Sequence, residues 1–141
     1  MSSCDTASRE ARFTPKAIQP TDEQRAIQLA TDRTIIIEAN AGAAKTTTLA
    51  LRMAESWQRG TSPDGFLALT YTQPACDALR GALKKIGVPH SVIGQFRIQT
   101  FEAFCTQILH EILGSTVPVY QNDEQFRPFV WQAVHRVEAS A

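Results

Sequence analysis

The chain has 141 residues, 43% of them hydrophobic, and its 14 basic and 14 acidic side chains cancel to no net formal charge. That length fits one domain with an ordinary core. With no bulk field to attract a polyanion, any binding to nucleic acid must come from a local groove, and a neutral isolated piece is expected to be poorly soluble.

No apolar run approaches the roughly 18 residues that a membrane-spanning helix needs. The first residues, MSSCDTASREARFTPK, lack the apolar stretch of a secretory signal. Residues 1–19 are polar and are expected to form a disordered tail. Cys4, Cys76 and Cys105 are odd in number and widely spaced, and His90, His110 and His135 show no ligand spacing. A disulfide framework or zinc site is therefore not expected, and a reducing, cytoplasmic location is.

Pro20-Thr21-Asp22-Glu23-Gln24 opens a first helix, with Thr21 as its cap and acids in its first turn. Ala26, Ile27, Leu29 and Ala30 give that helix its apolar face. Thr34–Glu38 then reads as a strand, because Ile35-Ile36-Ile37 suits a parallel sheet buried on both faces. A helix is predicted over Lys45–Arg59, ended near Gly60. Phe66–Thr70 is the second predicted strand. Pro74 lies in the first turn of a helix that runs to about Ile86 and stops at Gly87. Phe96–Gln99 is a third short strand. Phe101–Leu113 follows as a helix with Phe101, Phe104, Cys105, Ile108, Leu109 and Ile112 at helical spacing, stopped by Gly114. Val117–Gln121 reads as extended, and Asn122 or Asp123 caps a last helix to about Val137. This alternation of strand and helix implies an α/β fold, a parallel sheet with helices on both faces.

Between the first strand and its helix lies Glu38-Ala39-Asn40-Ala41-Gly42-Ala43-Ala44-Lys45-Thr46-Thr47. Strand, small-residue loop, lysine, hydroxyls and helix make the order of a phosphate-binding loop. Backbone N–H groups at the helix start can converge on phosphate oxygens, Lys45 can reach the β- and γ-phosphates, and Thr46 can ligate Mg²⁺. The generic pattern has glycine where this chain has Ala39 and Ala44. If Ala44 needs a positive φ, its methyl costs roughly 1–2 kcal/mol; if its φ is near helical, alanine costs little.

Four stretches in order resemble the UvrD/Rep family of superfamily 1 DNA helicases. The loop is similar to A-x-A-G-x-G-K-T, matching at Ala39, Ala41, Gly42, Lys45 and Thr46 and departing only at Ala44. Pro20–Arg25 resembles the family's Q motif, which implies that Gln24 reads the adenine edge. Leu67–Ala75 resembles motif Ia, L-T-F-T-N-K-A-A, which implies that Thr70, Tyr71, Thr72 and Gln73 face single-stranded DNA; Pro74 replaces the basic residue. Arg97–Cys105 resembles motif Ib, G-T-F-H-S-F, through Thr100, Phe101 and Phe104. Glu102 stands where the family has histidine, and a carboxylate there repels phosphate. Residues 119–141 resemble the start of the inserted helical subdomain, so that 20–118 would be the N-terminal part of a RecA-like P-loop motor domain, here incomplete.

The resemblance implies ATP and Mg²⁺ as cofactors, with single-stranded DNA and the remaining helicase domains as partners. The Walker B carboxylates and the arginines that stabilise phosphoryl transfer have no match in these residues; Asp123-Glu124 follows no apolar strand of the right type and does not supply them. The expectation is the N-terminal, ATP-binding part of a helicase that translocates on single-stranded DNA, with no complete catalytic set and little or no hydrolysis by itself. The alternative is a stand-alone, non-catalytic module that holds nucleotide or a partner. Self-association through an uncovered sheet is also expected.

Overall fold

A computed structural model describes residues 10–40, 44–114 and 123–138. The loop residues Ala41, Gly42 and Ala43, the expected extended piece 117–121, the cap candidate Asn122 and the expected domain boundary at 118/119 lie outside the described residues.

The elements are α1 (Asp22–Leu29), α2 (Lys45–Gln58), a 3-10 turn (Pro63–Gly65), β1 (Leu67–Thr70), α3 (Gln73–Ile86), the short α4 (His90–Ile93), β2 (Arg97–Thr100), α5 (Phe101–Leu113) and α6 (Asp123–Glu138). β1 and β2 pair in parallel, with Leu67 opposite Arg97 and Thr70 opposite Thr100. The crossover between them contains α3, which packs on both strands, while α2 packs on α3 and on α1.

The starts of α1 and α3 and the end of α3 have local causes. Thr21 and Gln24 form a reciprocal capping box at α1. Thr72 accepts from the Ala75 N–H at the start of α3, with Pro74 inside the first turn, and Gly87 ends α3 at φ 100°, a left-handed conformation that favours glycine. α1 has no basic residue in its own last turn. Arg52 of α2 supplies one, donating to the carbonyls of Ile27 at 3.0 Å and Ala30 at 2.5 Å.

The core gathers Leu51 and Ala54 of α2, Leu79, Leu83 and Ile86 of α3, Ile98 of β2 and Phe96. Phe13 joins it, which corrects the expectation of a disordered tail through residue 19. Segment 10–18 is held by its backbone: the Lys16 N–H donates to the Ile86 carbonyl at 3.0 Å. The N–H groups of Arg12 and Phe13 donate to the Glu55 carboxylate at 3.1 and 2.8 Å. Composition hid this, because one buried phenylalanine and a row of backbone bonds suffice to anchor a polar segment.

Two further expectations are corrected. Residues 34–38 form no strand. A strand exists only within a ladder, and β1 and β2 pair with each other while this stretch pairs with neither. Ile36 and Ile37 are accordingly exposed, Ile36 by 86%, while Ile35 is half-buried. The sheet also has helical cover from α3 on one face, the side of the buried Ala68; Leu67 and Leu69, which alternate with it, point the other way and are exposed.

The chain divides into two compact units, Met1–Glu102 and Ala103–Ala141. In the second, the apolar stripe expected on α5 exists at helical spacing, yet no residue of the helix is buried, and Ile108, Leu109 and Ile112 are exposed. α6 begins at Asp123 and carries Pro128 within it. Among the described residues no helix is long and apolar enough to cross a membrane, and Cys76 and Cys105 are free thiols.

Candidate nucleotide and DNA sites

Ala44 joins the expected phosphate loop to α2. It has φ 52° and ψ 34°, the left-handed region, and it is the only non-glycine residue with positive φ among the described residues. Of the two possibilities left open by the sequence, this is the costly one. Ala44 is the N-cap of α2 but supplies no side-chain cap. The first backward bond of the helix runs from the Thr48 N–H to the Ala44 carbonyl, at 3.0 Å. The N–H groups of Lys45, Thr46 and Thr47 precede it in the first turn, where a helix has donors to spare. The side chains of Lys45 and Thr46 are exposed, that of Thr47 is half-buried, and Ala39 and Asn40 lead into the loop without regular structure.

Gln24 is tied to this turn. Its Oε1 accepts from the Thr21 N–H at 3.1 Å, and its Nε2 donates to the Thr48 hydroxyl at 3.4 Å. Thr48 in turn donates its hydroxyl to the Ala44 carbonyl at 3.2 Å. An amide has a second lone pair and a second N–H, so this structural use leaves Gln24 able to meet an adenine edge.

Behind the loop helix lies a buried carboxylate that the sequence did not single out. Glu55 is 1% exposed. Besides Arg12 and Phe13 it receives the Gln28 amide at 3.1 Å and pairs with Arg59 at 2.6 Å. Burial pushes its carboxyl pKa up, but the Phe13 and Arg12 N–H groups, the Gln28 amide and the Arg59 charge outweigh that and hold it below the ordinary glutamate value. Gln28 is the buried residue of α1, in place of the apolar residues expected there, and it also donates to the Phe13 carbonyl at 2.9 Å. The signal was present in the sequence: Glu55 lies four residues after Leu51, on the buried stripe of α2.

The residues assigned to DNA gather at one end of the sheet. Thr70 and Thr100 are register partners at the C-terminal ends of β1 and β2, so Tyr71 and Phe101 follow from adjacent strand ends. Tyr71 is 95% exposed and Phe101 is 54% exposed. The neighbouring hydroxyls are spent on the turn: Thr70 donates to the Thr72 carbonyl at 3.0 Å and lies 3.0 Å from the Cys76 sulfur, while Thr72 caps α3. Gln73 is exposed and donates to Asp77 at 3.2 Å, a partner the sequence did not suggest. The crevice outside the carboxyl ends of parallel strands is where open α/β sheets bind ligands.

A model of the UvrD/REP helicase N-terminal domain matches residues 20–130. The chain belongs to this family. One subunit of the ATP-dependent helicase/nuclease of Lactobacillus helveticus (strain DPC 4571) is 29% identical over 96 residues, covering 57% of this chain. The chain spans only 8% of that protein's length. Membership implies a RecA-like P-loop fold, to which the two-stranded parallel sheet and its α3 crossover conform. It also implies the use of ATP and Mg²⁺ by the family. The described residues fit those groups: unspent N–H donors at the start of α2, an exposed lysine and an exposed threonine hydroxyl beside it. Among the described residues no group of three His, Cys, Asp or Glu side chains is placed to hold a metal.

Proposed function

We propose that this chain is the ATP-binding part of a DNA helicase that moves on single-stranded DNA. The observation that carries the proposal is the hydrogen-bonded chain from Gln24 through Thr48 to the Ala44 carbonyl, which ties an adenine-reading amide to the turn that opens the phosphate site. Lys45 would hold the β- and γ-phosphates, the N–H groups of the first turn of α2 would complete the cradle, and Thr46 would ligate Mg²⁺. ATP, when bound, supplies the phosphoryl group whose transfer drives movement. Tyr71 and Phe101 would stack bases at the strand ends, each stack contributing about 1–3 kcal/mol, and Gln73 would contact the backbone.

Walker B carboxylates and arginine partners have no counterpart in these residues, so the chain alone would bind nucleotide and turn it over slowly or not at all. The strained Ala44 favours a second reading beside this one, a module that holds nucleotide without hydrolysing it. The test is equilibrium binding of a fluorescent ATP analogue with Mg²⁺ to the wild type and to Lys45→Ala. Binding lost in the variant supports the site; equal affinity in both sinks it. DNA-stimulated hydrolysis by the 141 residues, abolished in Lys45→Ala, would overturn the claim of an incomplete catalytic set.

A further inference from the structure

A cleft of about 400 Å³ opens beside α3 and α4, away from the N-terminus of α2 and from the strand ends. Its rim carries Arg80 and Lys84, one turn apart on α3, and His90 on α4. Its floor is Ile93 and Phe96, both buried. Cations over an apolar floor attract an anion more strongly than the same cations in open water, because the low-dielectric wall screens them less. The Arg80 guanidinium is fixed in place: it donates to the Ile98 carbonyl at 2.6 Å and pairs with Asp77 at 3.1 Å. Its remaining N–H donors are left for a ligand.

Gly81 also lines the cleft. It sits inside α3, where glycine is a poorer helix former than alanine, and a Cβ built there meets nothing within 4 Å. Packing within the protein therefore does not require glycine at this position, and the bare helix surface there leaves room for a ligand to come close to the backbone. The cleft is also reached along α3 from the proposed DNA path. Gln73, Asp77, Arg80 and Lys84 follow one another at helical i,i+3 and i,i+4 steps, and the helix advances about 16 Å from Gln73 to Lys84 at 1.5 Å per residue.

We propose that this cleft takes a backbone phosphate of the nucleic-acid strand that stacks on Tyr71, which makes α3 a second stretch of the strand's track. The inference rests on the DNA reading above. The experiment is fluorescence anisotropy of a labelled oligo-dT with the 141-residue chain, across a range of salt concentrations. Each phosphate neutralised on a single strand adds about 0.7 to the slope of log K against log salt. Lys84→Gln should weaken binding several-fold and lower that slope by about 0.7. Gly81→Leu fills the cleft, removes no charge and improves helix propensity, and it should weaken binding likewise. Asp77→Asn, which removes a negative charge from beside the cleft, should tighten it. Tyr71→Ala should weaken binding with the slope unchanged. If Tyr71→Ala weakens binding while Gly81→Leu keeps wild-type affinity and slope, the DNA reading holds and the cleft proposal is overturned. If Gly81→Leu and Lys84→Gln weaken binding and Tyr71→Ala does not, the cleft stands and the Tyr71 path fails. A wild-type chain that does not bind the oligonucleotide overturns both.

Discussion

Replacing Ala44 by glycine should stabilise the chain, against the usual direction of such a change. Ala44 has φ 52° and ψ 34°, and the clash of Cβ with the backbone there costs roughly 1–2 kcal/mol. Glycine removes that clash but brings extra freedom to the unfolded chain, which costs about 0.4–1 kcal/mol. The difference favours glycine by about 1 kcal/mol, and glycine is also the better residue at an N-cap that lacks a side-chain bond. For a chain of this size about 1 kcal/mol moves Tm by roughly 3–4 °C. The assay is thermal unfolding without nucleotide, with Ala78→Gly as the control. Ala78 is exposed in the middle of α3, so glycine there should lower stability by about 1 kcal/mol. Opposite signs for the two substitutions are expected. A nucleotide titration then separates strain from crowding: an affinity gain larger than the stability gain means that the Ala44 methyl also presses on a phosphate. If Ala44→Gly lowers Tm as Ala78→Gly does, the strain argument is refuted.

Two other predictions concern the supports of the site. Glu55 has a folded pKa below its ordinary value of 4.5, so its stabilising contribution is full above that value and is lost as pH falls through the folded pKa. Glu55→Gln should cost about 1–3 kcal/mol near neutral pH, by loss of charge-assisted bonds in a buried place, and should flatten the decline in Tm on acidification; an unchanged acid profile would show that Glu55 does not carry it. Gln24→Glu keeps the capping box, since glutamate serves in it as well as glutamine does, but it removes the amide donor. Thermal stability should be nearly kept while discrimination of ATP over GTP disappears. Discrimination that survives the change would remove Gln24 from base reading.

What the sequence made legible was local chemistry. Thr21 as a cap, Gly87 and Gly114 as stops, and α5 over Phe101–Leu113 all follow from residues within a turn of the feature they explain. What it hid depended on distant partners. Ile35-Ile36-Ile37 has high strand propensity, but propensity measures fit to a pleated, half-buried surface, and no strand among the described residues offers one. Phe13 and Arg12 looked like tail because the Glu55 that receives their N–H groups lies more than forty positions away. Ala44 was intermediate: its identity was plain, its cost depended on one dihedral angle, and only the structure supplies that angle.

The same distance argument applies to Gln24, which has one observed role and one proposed role. The capping box could be found in the spacing Thr21-x-x-Gln24, and the adenine role in the resemblance to the Q motif, but neither shows that they share one amide. The structure shows the sharing: Oε1 holds the start of α1 and Nε2 reaches Thr48, whose hydroxyl and N–H both meet the Ala44 carbonyl. A base that draws the Gln24 amide away from Thr48 would loosen the hold on that carbonyl, and so on the strained Ala44. If Gln24 reads the base as proposed, recognition there would be coupled to the strain at Ala44 through these two hydrogen bonds. Ala44→Gly, which removes the strain, should weaken that coupling, so the cost of Gln24→Glu to ATP binding should be smaller in the Ala44→Gly background than alone.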